Sequence, residues 1–337
     1  MGGLVQMKVL CVLNPLAGGG LVVSRWPQML EMFRNFKIEP ELLSGRNSPI
    51  DVQVRQRLEQ GGAAEFQAIA GIGGDGTQSA VINGMMSYRN SHPDEVLPPL
   101  GLIPMGTGND IAKSFGLILR DDFFASDLRR AVSTIVHGAD YRLDLGLLKG
   151  RYFADALTVG VDSRTLRERN QRKERMQKIP FLGWLARGPV LYVVTWMGLF
   201  RFWRKPTLNV EICVDGATWY SGPMLNVVVN NTRIYAGEFD FCTDGYGSDG
   251  MLDVVLFTGH FDYLSRYLLS LRHHPRAIRK MATILGRASS HTQGRNVTLT
   301  LSRPEPAQVD GEEIPSGDRF DITVVPRTIH IKTPAEP

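Results

Sequence analysis

Through the first 137 residues, short unbroken apolar runs alternate with stretches whose apolar positions recur at helical spacing. "KVLCVLN" (8–14) reads as a buried strand, and 21–36 as a helix behind it. "KIEPELLS" (37–44) supplies a second strand and "IDVQVRQRLEQ" (50–60) a second helix. "EFQAIAGIG" (65–73) is a third strand leading into a helix from about 76 to 88. "PLGLIPMG" (99–106) is a fourth, followed by helical patterns at 108–116 and 125–137. Strands that are apolar along their whole length fit a parallel sheet covered on both faces, so this part is expected to be a doubly wound α/β domain. From about 139 the texture changes to pieces such as "YRLDLGLL", "TLNVEICV", "MLNVVVNN", "MLDVVLF", "RNVTLTLS" and "FDITVVP". These are antiparallel in flavour and predict a second, β-sandwich-like domain over 138–314, with 315–337 returning to the first. No internal repeat or low-complexity tract interrupts either half.

Composition narrows this picture only slightly. A chain of 337 residues with 43% hydrophobic and 21% charged positions is globular and long enough for two domains. Cys11, Cys213 and Cys242 lie far apart, so neither a zinc motif nor a disulfide framework is expected from their spacing. "MGGLVQMKVLCVLNP" lacks a basic region before its apolar run and does not read as a signal peptide. Gln6 stands where a myristoylation site needs Ser or Thr. Charge is more informative. The net +4 conceals a local +9 over 164–205 and six Lys/Arg with no acid over 265–287, which leaves the rest of the chain at −11. Such concentration speaks about partners rather than fold.

The candidate chemistry sits in three glycine-bearing loops, each after a predicted parallel strand: "NPLAGGG" (14–20), "GGDGT" (73–77) and "PMGTGND" (104–110). Ligands of doubly wound sheets bind at the carboxyl ends of strands, and glycine lets backbone N–H groups approach an anion there. Neither G-x-x-x-x-G-K-[ST] nor a G-x-G-x-x-G after the first strand is present, so the phosphate grip is of another kind. Asp75 and Asp110 share that rim, where bare carboxylates would repel phosphate; a bound Mg²⁺ reconciles the two. Taken alone, Asp75 could instead cap the helix beginning beside it, with Thr77 as a first-turn support.

"GGDGT" with "PMGTGND" resembles the catalytic domain of diacylglycerol kinases, shared by bacterial soluble lipid kinases, sphingosine kinases and ceramide kinases. "DLG" (144–146), "NN" (230–231), "SDGMLDVVLF" (248–257) and "VDGEE" (309–313) extend the resemblance in order over nearly the whole chain. It implies ATP-dependent phosphorylation of a lipid hydroxyl, with 1–137 as the ATP-binding domain and 138–314 as the lipid-substrate domain. The active site would lie in the cleft between them. On this resemblance the ATP site maps onto Asn14, Pro15, Gly18, Ser44, Gly73, Gly74, Asp75, Gly76, Thr77, Gly106, Thr107 and Asn109. Asp75, Asp110 and Asp144 would hold catalytic Mg²⁺ and water, and the general base would be Asp310 or Glu312. A second, structural Mg²⁺ would use Asp249 with main-chain oxygens around Tyr246 and Met251. Two positions depart from the pattern. Ser79 and Ala80 replace a usual Asn-Glu, and Gly108 replaces the second Thr of G-T-T-N-D. A "DGE" hairpin turn is the plain structural reading of Asp310.

A lipid kinase must reach a bilayer. "RTLRERNQRKERMQK" (164–178) runs into "IPFLGWLARGPVLYVVTWMGLFRFWRK" (179–205), whose longest uncharged part, Gly188 to Phe200, is shorter than the ~20 residues needed to span a membrane. Basic residues beside Trp184, Trp196, Phe202 and Trp203 suit docking on anionic lipid; a core helix with a solvated basic neighbour is the other reading. The expected location is cytoplasmic, at the inner face of the membrane, with insertions 164–205 and 261–287 as the basic surfaces. No nucleic-acid motif accompanies them, so nucleic acid is not an expected partner. Edge strands allow a homodimer. Diacylglycerol is the expected acceptor; a sphingoid base or other lipid alcohol, a catalytically impaired lipid-binding relative, and NAD kinase are the alternatives.

Overall fold

The structure is a computed structural model that describes residues 6–45, 48–118, 125–177, 208–242, 247–271, 275 and 290–334. Most of the predicted membrane-docking stretch (178–205) and much of 261–287 lie outside the described residues. The chain divides into two compact units: residues 1–145, 151–154 and 325–337 form the first, and 146–150 with 155–324 the second.

In the first unit, strands β1 (Met7–Leu13), β2 (Ile38–Ser44), β3 (Ala68–Gly73) and β4 (Leu100–Pro104) alternate with helices α1 (Leu21–Asn35), α2 (Ile50–Gly61), α3 (Asp75–Ser91), α4 (Asp110–Ser114) and α5 (Ala125–His137). All four strands are parallel in the order β2-β1-β3-β4. Successive side chains leave a strand on opposite faces, and the core divides accordingly. Leu10, Val12 and Ile69 pack with Val54 and Leu58 of α2 and Val81, Ile82 and Met85 of α3. Val9, Cys11, Ala70 and Ile72 pack with Val22, Met29 and Phe33 of α1 and Leu128, Val132 and Ile135 of α5. Each fully buried aliphatic contributes about 1.5–3 kcal/mol over its exposed state. Helices on both faces make this the doubly wound α/β domain expected from the apolar runs.

The second unit is mostly β. Strand β5 (Ala139–Leu148) ends in it after pairing with β6 (Arg151–Phe153), which belongs to the first unit; β7 (Ala156–Gly160), helix α6 (Val161–Gln177), β8 (Leu208–Val214), β9 (Ala217–Met224) and β10 (Asn226–Asn230) follow. Then come β11 (Ile234–Tyr235), β12 (Phe239–Asp240), β13 (Leu252–Phe257), α7 (His260–Leu269), β14 (His291–Gly294), β15 (Asn296–Val309) and β16 (Glu312–Thr333). The order β14-β13-β10-β7-β15-β16 is antiparallel throughout, while the first half of β15 also pairs with β8. A separate cluster of Val228, Tyr235, Phe241, Cys242, Val255, Phe257 and Tyr267 is buried beside α7. Strand β16 begins in this unit and, from Val325, belongs to the first; there Ile331 pairs in parallel with Leu100.

Candidate active site

The rim of the first unit is assembled from the ends of its parallel strands. Asn14 follows β1; its amide N–H donates to the Ile72 carbonyl, and its Oδ1 accepts from Leu16 in an Asx turn. Its Nδ2 donates to Thr77 Oγ1 at 3.2 Å, which ties the first glycine loop to the second. Pro15 is buried beside it, and Gly18 lies exposed in the 3₁₀ turn that follows. Ser44 stands opposite Leu13 at the carboxyl end of β2. The second and third loops touch backbone to backbone. A Cβ on Gly106 would come within 2.3 Å of Gly74 Cα, so neither loop tolerates a side chain at that crossing. Asn109, at φ 55°, closes the third loop on itself by accepting from the Gly106 N–H at 2.8 Å and donating to its carbonyl at 2.9 Å. Thr107 is thereby left exposed on the rim, beside the glycine crossing.

Asp75 does not cap its own helix, whose N-cap is Gly74 without a side-chain bond. Its Oδ1 instead accepts the Ile111 N–H at 3.4 Å, at the start of α4. Burial pushes its carboxyl above the ordinary 3.8, against the pull of the Ile111, Asn109 and Asp110 amides. The other oxygen matters more. A Cβ built on Gly108 would meet Asp75 Oδ2 at 2.9 Å and Asp110 Oδ1 at 3.0 Å, so both carboxylates border the same small volume. Like charges brought together in this way disfavour double ionisation unless a cation joins them. Two hard oxygen donors around a space that glycine keeps open fit Mg²⁺. The departure at Gly108 preserves that space rather than merely loosening a loop.

Asp144 is fully buried on β5, and its Oδ1 accepts the Arg327 N–H at 2.6 Å, holding a residue at φ 50° in β16. Asp310 and Gly311 form the two-residue connection between β15 and β16, both at positive φ. Asp310 is 2% exposed and its Oδ1 accepts from the Asp155 and Ala156 amides at 2.9 and 3.2 Å. Glu312, two residues on, is exposed. Asp249 is exposed and its Oδ1 accepts the Met251 N–H at 3.0 Å, a turn closed on itself; Tyr246 lies outside the described residues. At the departure from the usual Asn-Glu, the Ser79 hydroxyl is buried with no hydrogen-bond partner among the described residues.

Sequence reasoning missed one dense polar cluster among the described residues. Asp162, at the start of α6, accepts Asn226 Nδ2 at 2.7 Å, Tyr235 Oη at 3.0 Å and Tyr267 Oη on one oxygen, and Tyr263 Oη at 2.5 Å on the other. Burial raises its pKa above 3.8 in spite of these donors. Gln308, two residues before Asp310 on β15, donates to the same Tyr235 hydroxyl at 2.9 Å. The donors to Asp162 come from three separate segments, β10, β11 and α7, so no local motif signals them.

With this geometry in hand, the relatives of the chain can be placed. Residues 8–148 match the family model of the diacylglycerol kinase catalytic domain. The diacylglycerol kinase of Bacillus subtilis (strain 168) is 26% identical over 245 residues, 73% of this chain and 72% of that protein. "Probable lipid kinase YegS" of Salmonella heidelberg (strain SL476) is 26% identical over 303 residues, 86% of this chain and 89% of that protein. The crystal structure of a diacylglycerol kinase from Bacillus anthracis str. Sterne superposes with a TM-score of 0.65 over 97% of both chains. At 16% identity, that last likeness speaks for the fold alone.

Proposed function

We propose that the chain, whose residues 8–148 match the family model of the diacylglycerol kinase catalytic domain, is a kinase that transfers the γ-phosphoryl group of ATP to a lipid hydroxyl. The acceptor is read as diacylglycerol, giving phosphatidic acid. The observation that carries the reading is the crossing of Gly74 and Gly106 with Asp75 and Asp110 around Gly108. It combines backbone close enough for phosphate with acids that need a cation.

The transition state of phosphoryl transfer is loose, so the chain's task is positioning and charge neutralisation. Asn14, Gly18, Ser44 and Thr107 are assigned to the nucleotide side of the rim, and Asn109 holds the third loop closed through both the N–H and the carbonyl of Gly106. Asp75 and Asp110 would hold Mg²⁺, which when bound offsets the charge on the phosphoryl oxygens. Of the two candidate bases, Glu312 is exposed and Asp310 is buried, with its Oδ1 holding the Asp155 and Ala156 amides. Because an acceptor arriving from a lipid surface must reach it, the exposed Glu312 is assigned as the base and Asp310 as the residue that sets the hairpin. The acceptor oxygen forms its bond to phosphorus as the bond to the ADP oxygen breaks, and the acceptor proton passes to the Glu312 carboxylate. In a loose transition state that proton leaves late, so an ordinary carboxylate suffices.

The enzyme is assigned to a membrane surface, where its lipid resides. Among the described residues no helix is long and apolar enough to cross a membrane. The basic helix α6 suits attachment to an anionic face instead. Labelled ATP offered with mixed-micelle diacylglycerol, a sphingoid base and NAD in parallel tests the acceptor. Product on diacylglycerol supports the reading, and product on NAD alone overturns it. Glu312→Gln is expected to lower kcat at unchanged KM for ATP; full activity in that variant removes the base assignment. Sedimentation with vesicles tests attachment, which fails if anionic lipid gives no enrichment at low ionic strength.

A further inference from the structure

Within the second unit, and apart from the acids assigned to the rim and to the base, three potential metal ligands of different chemistry converge. Cys242 follows β12, Asp253 lies on β13, and His291 opens β14. One donor atom from each lies within 4.8 Å of the others. The sheet explains how they meet. Asn230 on β10 stands opposite Asp253, and Asp253 stands opposite Gln293 on β14, so these side chains share a face. His291 is two residues from Gln293 and points the same way. Cys242 and Asp253 are almost fully buried, at 4% and 5% exposure.

Asn230 is the second observation. It is completely buried, its Nδ2 makes a 3.5 Å contact with Cys242 Sγ, and its Oδ1 has no hydrogen-bond partner among the described residues. Leaving an amide carbonyl buried and unmet costs roughly 1–3 kcal/mol. A half-turn of the amide exchanges nitrogen for oxygen and aims the unmet Oδ1 at the thiol's side of the cluster. We propose that Cys242, Asp253 and His291, with Asn230 Oδ1 as the fourth donor, bind one Zn²⁺ that clips the segment after β12 to strands β10, β13 and β14.

The donor set selects the metal. Thiolate and imidazole are poor ligands for Mg²⁺, which takes hard oxygens, while mixed sulfur, nitrogen and oxygen suit Zn²⁺ in a closed tetrahedral structural site. Thiolate and carboxylate together balance its charge. His291 Nε2 and Asp253 Oδ1 stand 2.8 Å apart, and a tetrahedral site with bonds near 2.0–2.1 Å needs them about half an ångström further apart. Gln293 Nε2 donates to that same Asp253 oxygen at 2.9 Å, the kind of supporting bond that orients a ligating carboxylate. Binding releases the Cys242 thiol proton to solvent and leaves the remaining His291 proton on Nδ1. The site is separate from the acids around Gly108, so it stands whether or not the kinase reading does.

The test uses the full chain, stripped with chelator and titrated with Co²⁺ as a spectroscopic substitute for zinc. Wild type is expected to bind one Co²⁺ per chain with a thiolate-to-cobalt charge-transfer band, and excess Zn²⁺ but not Mg²⁺ bleaches it. Cys242→Ser loses the band, and Gln293→Ala keeps it while weakening Zn²⁺ by about 10- to 100-fold. A wild-type titration with no charge-transfer band overturns the proposal without reference to any variant. So does a Zn²⁺ affinity that is unchanged in both Cys242→Ser and His291→Gln.

Discussion

Asp75 in the first unit and Asp162 in the second are both carboxylates whose pKa burial pushes upward, yet their surroundings are opposite. Asp162 is saturated: three tyrosine hydroxyls and an asparagine amide cover both its oxygens. Asp75 accepts backbone amides, that of Ile111 on Oδ1, and its Oδ2 borders a volume it shares with Asp110. A saturated acid is a finished piece of structure. An acid beside another acid is half of a site, with oxygens placed to share a cation. Burial and a raised pKa therefore do not by themselves separate function from scaffold; the identity of the partners does.

The sharpest way to break this contrast is Asp75→Asn. Turnover on diacylglycerol micelles is expected to fall by about 10²-fold or more, the scale of removing one charge-stabilising group from a reacting centre. The thermal midpoint should hardly move, because the variant places a neutral group where the charged one was disfavoured. Near-normal turnover would make Asp75 scaffold after all. Asp162→Ala should do the reverse. Removing the acceptor of four donors is expected to cost about 3 kcal/mol of unfolding free energy in a urea titration. Any loss of kcat should then be explained by the folded fraction. A kcat loss well beyond it would move Asp162 into the site.

A smaller effect tests the cradle between these extremes. Gly106→Ala sets a Cβ against Gly74 Cα, a backbone contact that cannot swing aside. Overpacking of that kind costs roughly 1–3 kcal/mol. Here it should appear chiefly as a raised KM for ATP with little change for the lipid, and equal effects on both would argue against a nucleotide role for the crossing.

The same contrast explains what could be read from the chain. The parallel strands of the first unit are buried on both faces, so their apolar runs announce them, and "KVLCVLN", "KIEPELLS", "EFQAIAGIG" and "PLGLIPMG" overlap β1 to β4. Asp75 and Asp110 were legible because each lies in the loop that its own strand delivers to the rim. Asp162 was not, because its donors come from Asn226, Tyr235, Tyr263 and Tyr267, and only the fold brings them together. Asp144 and Asp310 were legible as acids but not as ligands of the distant amides of Arg327, Asp155 and Ala156. Strand β16 hid its length because Pro315 and Pro326 punctuate its pattern. Pairing that spans the chain is a tertiary fact, and local periodicity does not encode it.

The weakest prediction concerns charge at the surface and carries the opposite sign. Arg57 holds Glu41 below the ordinary 4.5, and Lys8 followed by Arg57 does the same for Glu65. Carboxyls with depressed folded values add stability above their unfolded pKa and lose it as pH falls through the folded one. Asp162 runs the other way. Its raised folded value means that the fold gains stability as pH drops towards 3.8, since the native state takes up the proton first. In wild type the two trends oppose one another where their windows overlap, between the unfolded values of 4.5 and 3.8. Asp162→Asn removes the gain and leaves the loss, so its thermal midpoint should decline more steeply on acidification than that of wild type. Half-exposed pairs such as these contribute little and are screened, so the decline common to both proteins should shrink in 1 M salt. The difference between them should survive, because the Asp162 cluster is shielded from the ions. Parallel acid limbs for the two proteins would mean that Asp162 is not held back from ionising, and its contrast with Asp75 would then rest on hydrogen bonding alone.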